Sequence, residues 1–249
     1  MDNKLVFPPQ KIIELGDKRI LITGMDGELQ IINESMEIES EHKIPFPTAI
    51  SQSSVSNNTL FACWVDLELM IARMAAIELN SEIHNGPSRS ELRIDLSHES
   101  QSQVTGSMWS HTLDSEPLAL IAGPDYVAFT TWKRGIYCID HNSKELWRIP
   151  EIKWKNKLSS ANLVVSMEIT NQGLRIWSKG AEWALINVKD GQIIDQGEIK
   201  FENILEKTFS FENNTLLCCP EGNVLWIEDL NSTESLTVKQ KGPVHDAKW

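Results

Sequence analysis

Few residues in this sequence have the types and spacing that enzyme chemistry requires. Zinc sites place histidines or cysteines a few residues apart, whereas the six histidines form no HxxxH or HxH pair. Serine hydrolases of the α/β class carry the nucleophile in a GxSxG turn, and the sequence has neither that motif nor a glycine-rich phosphate-binding loop. We therefore expect no catalytic residue, no metal site and no cofactor.

An adjacent pair of cysteines, Cys218 and Cys219, is the feature closest to a redox motif. All four cysteines fall in segments that we predict as strands, and no CxxC spacing is present. Neighbouring residues of a strand point to opposite faces. The pattern therefore predicts reduced thiols buried in the core.

Charge and hydropathy narrow the possible partners and location. The chain has 249 residues, a formal charge of −12 and a pI near 5.0. Nucleic acids and anionic membranes bind basic surfaces, so we expect neither as a partner. The N-terminal stretch lacks a basic region followed by an apolar run, and no segment approaches the roughly 18 apolar residues of a membrane span. These features predict a soluble, cytoplasmic protein.

The stretch 126–148, YVAFTTWKRGIYCIDHNSKELWR, indicates how the chain is built. Apolar and β-branched residues alternate with polar ones in the period of two that is typical of strands. Turns are predicted at 133–135 and 141–144, where Gly, Asn and Ser favour tight bends. The pattern predicts three consecutive antiparallel strands.

This layout recurs along the chain. Similar patterns occupy residues 18–44, 173–199 and 213–239, and a weaker copy begins at Thr59. The turn glycines Gly135, Gly180 and Gly222 are 45 and 42 residues apart. Repeats of about 40 to 50 residues with four strands each are typical of β-propellers.

We therefore predict an all-β protein, a β-propeller of about five four-stranded antiparallel blades in one domain over residues 1–249. The predicted blades cover approximately residues 11–44, 48–115, 116–150, 158–200 and 203–240. Residues 243–249 have the pattern of a partial blade, which would leave an unpaired sheet edge. We expect the sequence to be either the N-terminal part of a longer propeller or an open ring that another chain completes.

Residues 80–112 interrupt the second repeat with polar sequence. We interpret them as an insertion loop that contains one displaced strand, ELRIDL at 91–96. The preceding segment 67–79, LELMIARMAAIEL, has the leucine, methionine and alanine content of a helix. The repeat requires a strand there, so we predict one long strand.

The run GIYCIDHNSKELW at 135–147 resembles the repeat of quinoprotein-type, or PQQ-like, β-propellers, with weaker matches at 107–109 and 190–194. Residues 242–249 are similar to the opening strand of a WD40 blade. The resemblance implies the propeller fold, and a fold does not imply a function. Some quinoprotein dehydrogenases carry an adjacent-cysteine disulfide near their cofactor, but we identify no counterpart of their calcium-binding residues in this sequence.

The nine tryptophans are candidates for contacts between blades or with a partner. In quinoprotein-like propellers such residues dock one blade on the next, and the resemblance implies this role for Trp109 and Trp147. Trp132 and Trp177 lie near turns that join second and third strands. Their rings are either buried between sheets or exposed as binding anchors.

Two function classes fit these observations. The first is a noncatalytic propeller that acts as a protein–protein interaction scaffold through loops on one rim. Its partner surface would comprise Trp132, Lys133, Arg134, Trp177, Lys179 and Glu221. The second is a sensor or enzyme that binds a small ligand in the central channel. The missing catalytic motifs favour the scaffold, with a protein as its partner.

Overall fold

The computed structural model describes residues 5–35, 37–97, 102–156, 158–201, 203–212, 214–230, 235–244 and 246–247. Over these ranges the chain forms nineteen strands and one helix. The strands are arranged in five successive sheets, and strands that follow one another in sequence are neighbours in the sheet. The predicted all-β fold of successive antiparallel meanders is confirmed, and over the described residues every sheet but the first has four strands.

The first two sheets come from the N-terminal part of the chain. The first contains β1 (Pro9–Glu14), β2 (Ile20–Gly24) and β3 (Leu29–Ile32). Isolated bridges join Leu29 to Lys43 and Ile32 to Ile38, so the segment after β3 follows the sheet edge. The second sheet contains β4 (Ile50–Ser56), β5 (Thr59–Asp66), β6 (Ile71–Glu78) and β7 (Trp109–Thr112).

Three four-stranded sheets follow. The third contains β8 (Pro117–Ala122), β9 (Val127–Thr131), β10 (Gly135–Ile139) and β11 (Glu145–Ile149). The fourth contains β12 (Val164–Thr170), β13 (Gly173–Ser178), β14 (Glu182–Ile186) and β15 (Ile193–Glu198). The fifth contains β16 (Lys207–Phe211), β17 (Asn214–Cys218), β18 (Asn223–Ile227) and β19 (Ser235–Lys239).

The chain divides into two compact units, each with its own core. The first comprises Met1–Pro117, Ala122–Val127 and Asp140–Lys144, and the second comprises Leu118–Ile121, Ala128–Ile139 and Glu145–Trp249. Apolar side chains from the first and second sheets form the core of the first unit, including Leu21, Phe46 and Trp64. In the second unit, the fourth and fifth sheets pack together through a cluster that includes Trp177, Leu217 and Ile227.

The segment 67–79 is not the one long strand that we predicted. Residues 67–70 form a turn, and β6 begins at Ile71. The Asp66 carboxylate accepts a hydrogen bond from the Leu69 N–H at 2.9 Å, and Met70 adopts a left-handed backbone with φ of +53°. A carboxylate at the start of a turn bonds the backbone N–H groups that follow it, and this interaction ends β5.

The predicted strand at 91–96 is also wrong, because these residues belong to the helix α1 (Arg89–Ser97). The Ser88 hydroxyl accepts from the Glu91 N–H at 3.3 Å, and the Glu91 carboxylate accepts from the Ser88 N–H at 2.7 Å. These reciprocal bonds form a capping box, and they lower the pKa of Glu91. The Ser-x-x-Glu pattern was the sequence signal for this helix.

Where the structure describes it, at 80–97 and 102–112, the insertion belongs to the first unit and contributes to its core, whereas we predicted a loop. Ile83, Leu92 and Val104 are buried in the core of that unit, and the last four residues form β7. Three buried apolar side chains remove enough surface from water to hold the segment in place.

The predicted partial blade at 243–249 lies only partly within the described residues. Residues 243, 244, 246 and 247 adopt no regular structure, and 245, 248 and 249 are not among the residues that the structure describes. The copy of the repeat at 213–239 also includes residues 231–234, which lie outside the described residues. Over the described ranges, no helix is long and apolar enough to cross a membrane.

Candidate partner-binding groove

The turn between β9 and β10 carries three of the predicted partner-surface residues, and all three are exposed. Trp132 is 45% exposed. The Lys133 ammonium lies 4.3 Å from the centre of the Trp132 ring, which is within the range of a cation–π interaction. Arg134 follows directly, so one aromatic ring and two cations share this turn.

A left-handed backbone gives this turn its shape. Lys133 and Gly135 have φ angles of +58° and +97°. A Cβ atom on Gly135 would lie 2.3 Å from the Ile149 carbonyl oxygen. Only glycine fits so close to the neighbouring strand at positive φ, so a side chain at this position would push the turn away from β11.

The segment 150–154, which follows β11, lies beside this turn and includes the half-buried Trp154. The next two backbone N–H groups, of Lys155 and Asn156, donate to the two carboxylate oxygens of Glu182 at 2.6 and 3.1 Å. Glu182 is buried at the start of β14. The segment is therefore fixed to the fourth sheet through charge-assisted hydrogen bonds.

Asn162, which precedes β12, completes the surface. The backbone on either side of it is bonded to the turn between β13 and β14, because Lys179 N–H donates to Leu163 O at 2.8 Å and Gly180 N–H donates to Ala161 O at 2.9 Å. The Asn162 Oδ1 atom is buried and has no hydrogen-bond partner among the described residues. A buried polar atom without a partner is unfavourable, so a donor from a ligand would be stabilising there.

These residues line an open groove of about 600 Å³, which we call the Lys133 groove. Its lining consists of Lys133, Arg134, residues 150–154 and Asn162. A smaller pocket of about 100 Å³ adjoins it, shares Trp154 and Asn162, and is also lined by residues of β9 and β12. The groove therefore opens into the interface between the third and fourth sheets.

Trp177, which we assigned to the partner surface, is fully buried. It pairs with Trp183 across β13 and β14, and its indole N–H donates to Glu168 at 3.0 Å. The prediction of an exposed anchor at Trp177 is wrong, because this position lies inside a strand whose face packs on the fifth sheet.

Two other predicted surface residues lie at equivalent turns of the following sheets. Lys179 is half-buried in the turn between β13 and β14, close to the Lys133 groove through its bond to Leu163. Glu221 is exposed in the turn between β17 and β18 and is not part of the groove lining. Of the six residues that we assigned to the partner surface, the structure brings Lys133 and Arg134 into the groove and places Trp132 and Lys179 beside it.

The two tryptophans assigned to blade docking both bond to the neighbouring sheet. The Trp109 indole N–H donates to the His141 carbonyl at 2.8 Å, and that of Trp147 donates to the Val188 carbonyl at 2.7 Å. Each acceptor lies in the turn before the fourth strand of the next sheet. The Trp147 ring also contacts Gly191 so closely that a Cβ atom there would lie 2.8 Å from the ring.

The buried thiols show no environment that would activate them. All four cysteines are free and buried, and burial raises the pKa of Cys138 to about 12 and that of Cys218 to about 11. The thiolate is the reactive form of cysteine, so Cys138 and Cys218 are unreactive near neutral pH. We predicted Cys219 within a strand, but it lies one residue beyond the end of β17. Within the described ranges, no cluster of His, Cys, Asp and Glu could hold a metal ion.

Sequence reasoning missed the rest of the groove lining, in which Lys153, Trp154 and Asn162 carry charged or hydrogen-bonding groups. The first two belong to the run IKWKN at 152–156, where lysines alternate with tryptophan and asparagine in an otherwise acidic chain. That alternation was a usable signal for a binding segment. Asn162 has no such signal, because backbone bonds to the turn at 179–180 bring it to the groove.

No family model matches the chain, and no curated protein matches it. The β-propeller domain of Cps50 (Swd1) from Myceliophteria thermophila is similar at 10% identity, with a TM-score of 0.62 over 90% of this chain and 66% of that chain. The WD40 β-propeller domain of Doa1 matches at 8% identity and a TM-score of 0.60, over 95% of this chain and 70% of that chain. BamB from Moraxella catarrhalis matches at 10% identity and a TM-score of 0.55, over 94% of this chain and 65% of that chain.

At these identities the likeness concerns the fold alone. The chain spans about two thirds of the length of each of these three structures. The repeat-level resemblance to WD40-like and PQQ-like propellers is confirmed. The chain has the β-propeller fold that its repeats predicted.

Proposed function

We propose that this protein is a noncatalytic β-propeller scaffold that binds a partner protein through the Lys133 groove and the turn beside it. The observation that carries the proposal is the exposed ring of Trp132. A tryptophan that is 45% exposed keeps a large apolar area in water, and covering that area on binding is favourable. Tryptophan and arginine dominate the binding energy of many protein interfaces.

The rigidity of the surroundings supports a binding role. Gly135 lets the turn pack directly against β11, and Glu182 fixes the segment beyond Trp154 with two hydrogen bonds. A surface that is already ordered loses little conformational entropy when a partner binds. Interaction sites on loops held by a rigid sheet framework are common for the same reason.

The test is affinity purification of the tagged protein from its native host after chemical cross-linking, with quantitative mass spectrometry. We expect a partner protein that is captured by the wild type and lost with Trp132→Ala. The matched control is Ile194→Ala, because Ile194 is 54% exposed on β15, outside the groove lining. Both variants should unfold at the temperature of the wild type, so that any loss of the partner reflects the surface.

Two results would contradict the proposal. One is a partner that Trp132→Ala retains at the wild-type level, which would place the interface elsewhere. The other is the absence of a partner together with stabilisation by a small molecule in a thermal-shift screen, which would favour the alternative of a ligand-binding sensor or enzyme.

A further inference from the structure

We propose that the Lys133 groove binds an extended acidic segment of the partner protein. This inference rests on the proposed function and adds the chemistry of the partner. Among the lining residues, Lys133, Arg134 and Lys153 are cationic and Glu151 is anionic, so three positive charges less one negative charge leave a net +2. The whole chain has a formal charge of −12. The groove is therefore a basic site on an acidic protein.

The two lysines of the groove lining have no carboxylate partner among the described residues. Among the described residues, no ion pair joins Lys133, Lys153 or Lys155 to a carboxylate. The nearby carboxylate of Glu182 is buried, and both of its oxygens accept backbone N–H bonds. Unpaired lysines at a groove attract anionic groups and steer their approach.

The groove also offers hydrogen-bonding atoms that the chain does not use. The Asn162 Oδ1 atom is buried without a partner among the described residues. It could accept a backbone N–H from a bound segment. The Trp154 indole N–H forms no hydrogen bond within the described part of the chain, and it could donate to a carboxylate or carbonyl oxygen. An extended peptide presents donors along its backbone and acceptors on acidic side chains, so it matches both atoms.

Trp132 adds an apolar contact at the edge of the groove. The Lys133 ammonium lies over the Trp132 ring in a cation–π contact. A segment that forms an ion pair with Lys133 would therefore also contact the ring. We therefore expect the segment to combine Asp or Glu with at least one apolar side chain. Nucleic acid fits less well, because its affinity depends on many phosphate contacts, whereas this basic surface is short and the rest of the chain is acidic.

The experiment is selection from a random peptide library displayed on phage against the wild-type protein, followed by fluorescence anisotropy of the selected peptides. The key variant is the double charge reversal Lys133→Glu with Lys153→Glu. The control is Lys189→Glu, which reverses an exposed lysine in the turn between β14 and β15, outside the groove lining. Circular dichroism and thermal unfolding verify that each variant is folded.

We expect selected peptides to be enriched in Asp and Glu relative to the library. The double reversal should weaken their binding by at least about tenfold, and high salt should weaken it as well, because the attraction is between exposed charges. Lys189→Glu should change little. Glu151→Gln should strengthen binding by about twofold or more, since it removes the one carboxylate from the groove lining.

The outcomes separate this inference from the proposed function. Some selected peptides will lose binding with Trp132→Ala. If these peptides are neutral or basic, or if they still bind the double-reversal variant, the acidic-segment proposal is wrong and the scaffold function stands. Competition by inorganic phosphate as effective as competition by the peptide also overturns it, because the site would then bind anions in general. If no selected peptide loses binding when the groove residues are substituted, the result counts against both the acidic-segment proposal and the proposed scaffold function.

Discussion

Trp132 and Trp177 stand at the same place in consecutive repeats, three residues before the turn glycines Gly135 and Gly180. Their environments are opposite, since the Trp132 ring is half exposed and the Trp177 ring is fully buried. The spacing of the repeat therefore does not decide which ring meets the solvent.

The point at which each strand ends explains the difference. Trp177 is the fifth of the six residues of β13 and pairs with Trp183, so its ring enters the cluster between the fourth and fifth sheets. Trp132 lies one residue beyond the end of β9, in the turn. Side chains of a strand alternate between its faces, whereas a turn directs them outward. Relative to the tryptophan, the two strand ends differ by two residues, and this difference separates a structural tryptophan from a candidate binding residue.

The largest expected effect is that of Trp177→Ala. It should lower the free energy of unfolding by about 3–5 kcal/mol, the range for removing a buried tryptophan, and it also removes a donor from the buried Glu168. Trp132→Ala should cost less than about 1 kcal/mol, as do most exposed substitutions. Urea unfolding of the two variants measures the difference, and equal losses would abolish the contrast between the two rings.

Trp147→Ala tests whether a docking tryptophan behaves like Trp177. We expect a loss of about 3 kcal/mol, at the lower end of the range for a buried ring, because the ring lies against the neighbouring sheet at Gly191 and donates to Val188. The same unfolding measurement applies. A loss below about 1 kcal/mol would mean that the ring does not hold the two sheets together.

Trp177→Phe separates the hydrogen bond of Trp177 from its packing. The phenyl ring retains much of the apolar area, but Glu168 loses the indole donor and keeps Thr208, Ser210 and the nearby Arg175. We expect a loss of about 1–3 kcal/mol, the cost of leaving a buried acceptor without one partner. Trp132→Phe is the matched control and should leave the unfolding midpoint unchanged.

Lys133→Ala should have the smallest effect on stability. It removes the ammonium that lies over the Trp132 ring, and an exposed cation–π contact contributes about 0.5–1 kcal/mol. It also replaces a residue at positive φ, so Lys133→Gly is a useful companion that keeps the backbone relaxed. If Lys133→Ala destabilises the protein as much as Trp177→Phe, the turn is part of the core and not a free surface.

The strands and their turns could be predicted because each depends on residues close in sequence. β9, β10 and β11 follow from alternating apolar residues, and the intervening bends follow from Gly135 and from the polar run at 141–144. The errors in the second sheet arose where the repeat pattern was extended past contrary local signals. Ser88 and Glu91 indicated a helix, and Asp66 indicated a turn.

The candidate site could be predicted only in part. Lys133 and Arg134 stood out because a turn places them on the surface, whereas Glu182 and Asn162 act on the groove through bonds to segments more than fifteen residues away in sequence. Such contacts depend on how the third and fourth sheets pack, which no local pattern encodes.

The sequence by itself determined the fold class, the number of sheets and the exposure of the Lys133 turn, because strand periodicity and turn chemistry act over a few residues. The tertiary structure alone decided which tryptophans are buried, which carboxylate holds the segment after β11, and where the unpaired Asn162 Oδ1 atom lies. Burial and hydrogen bonding between sheets are properties of surfaces that meet only after the chain has folded. For that reason two tryptophans in matching positions of one repeat have different roles in this protein.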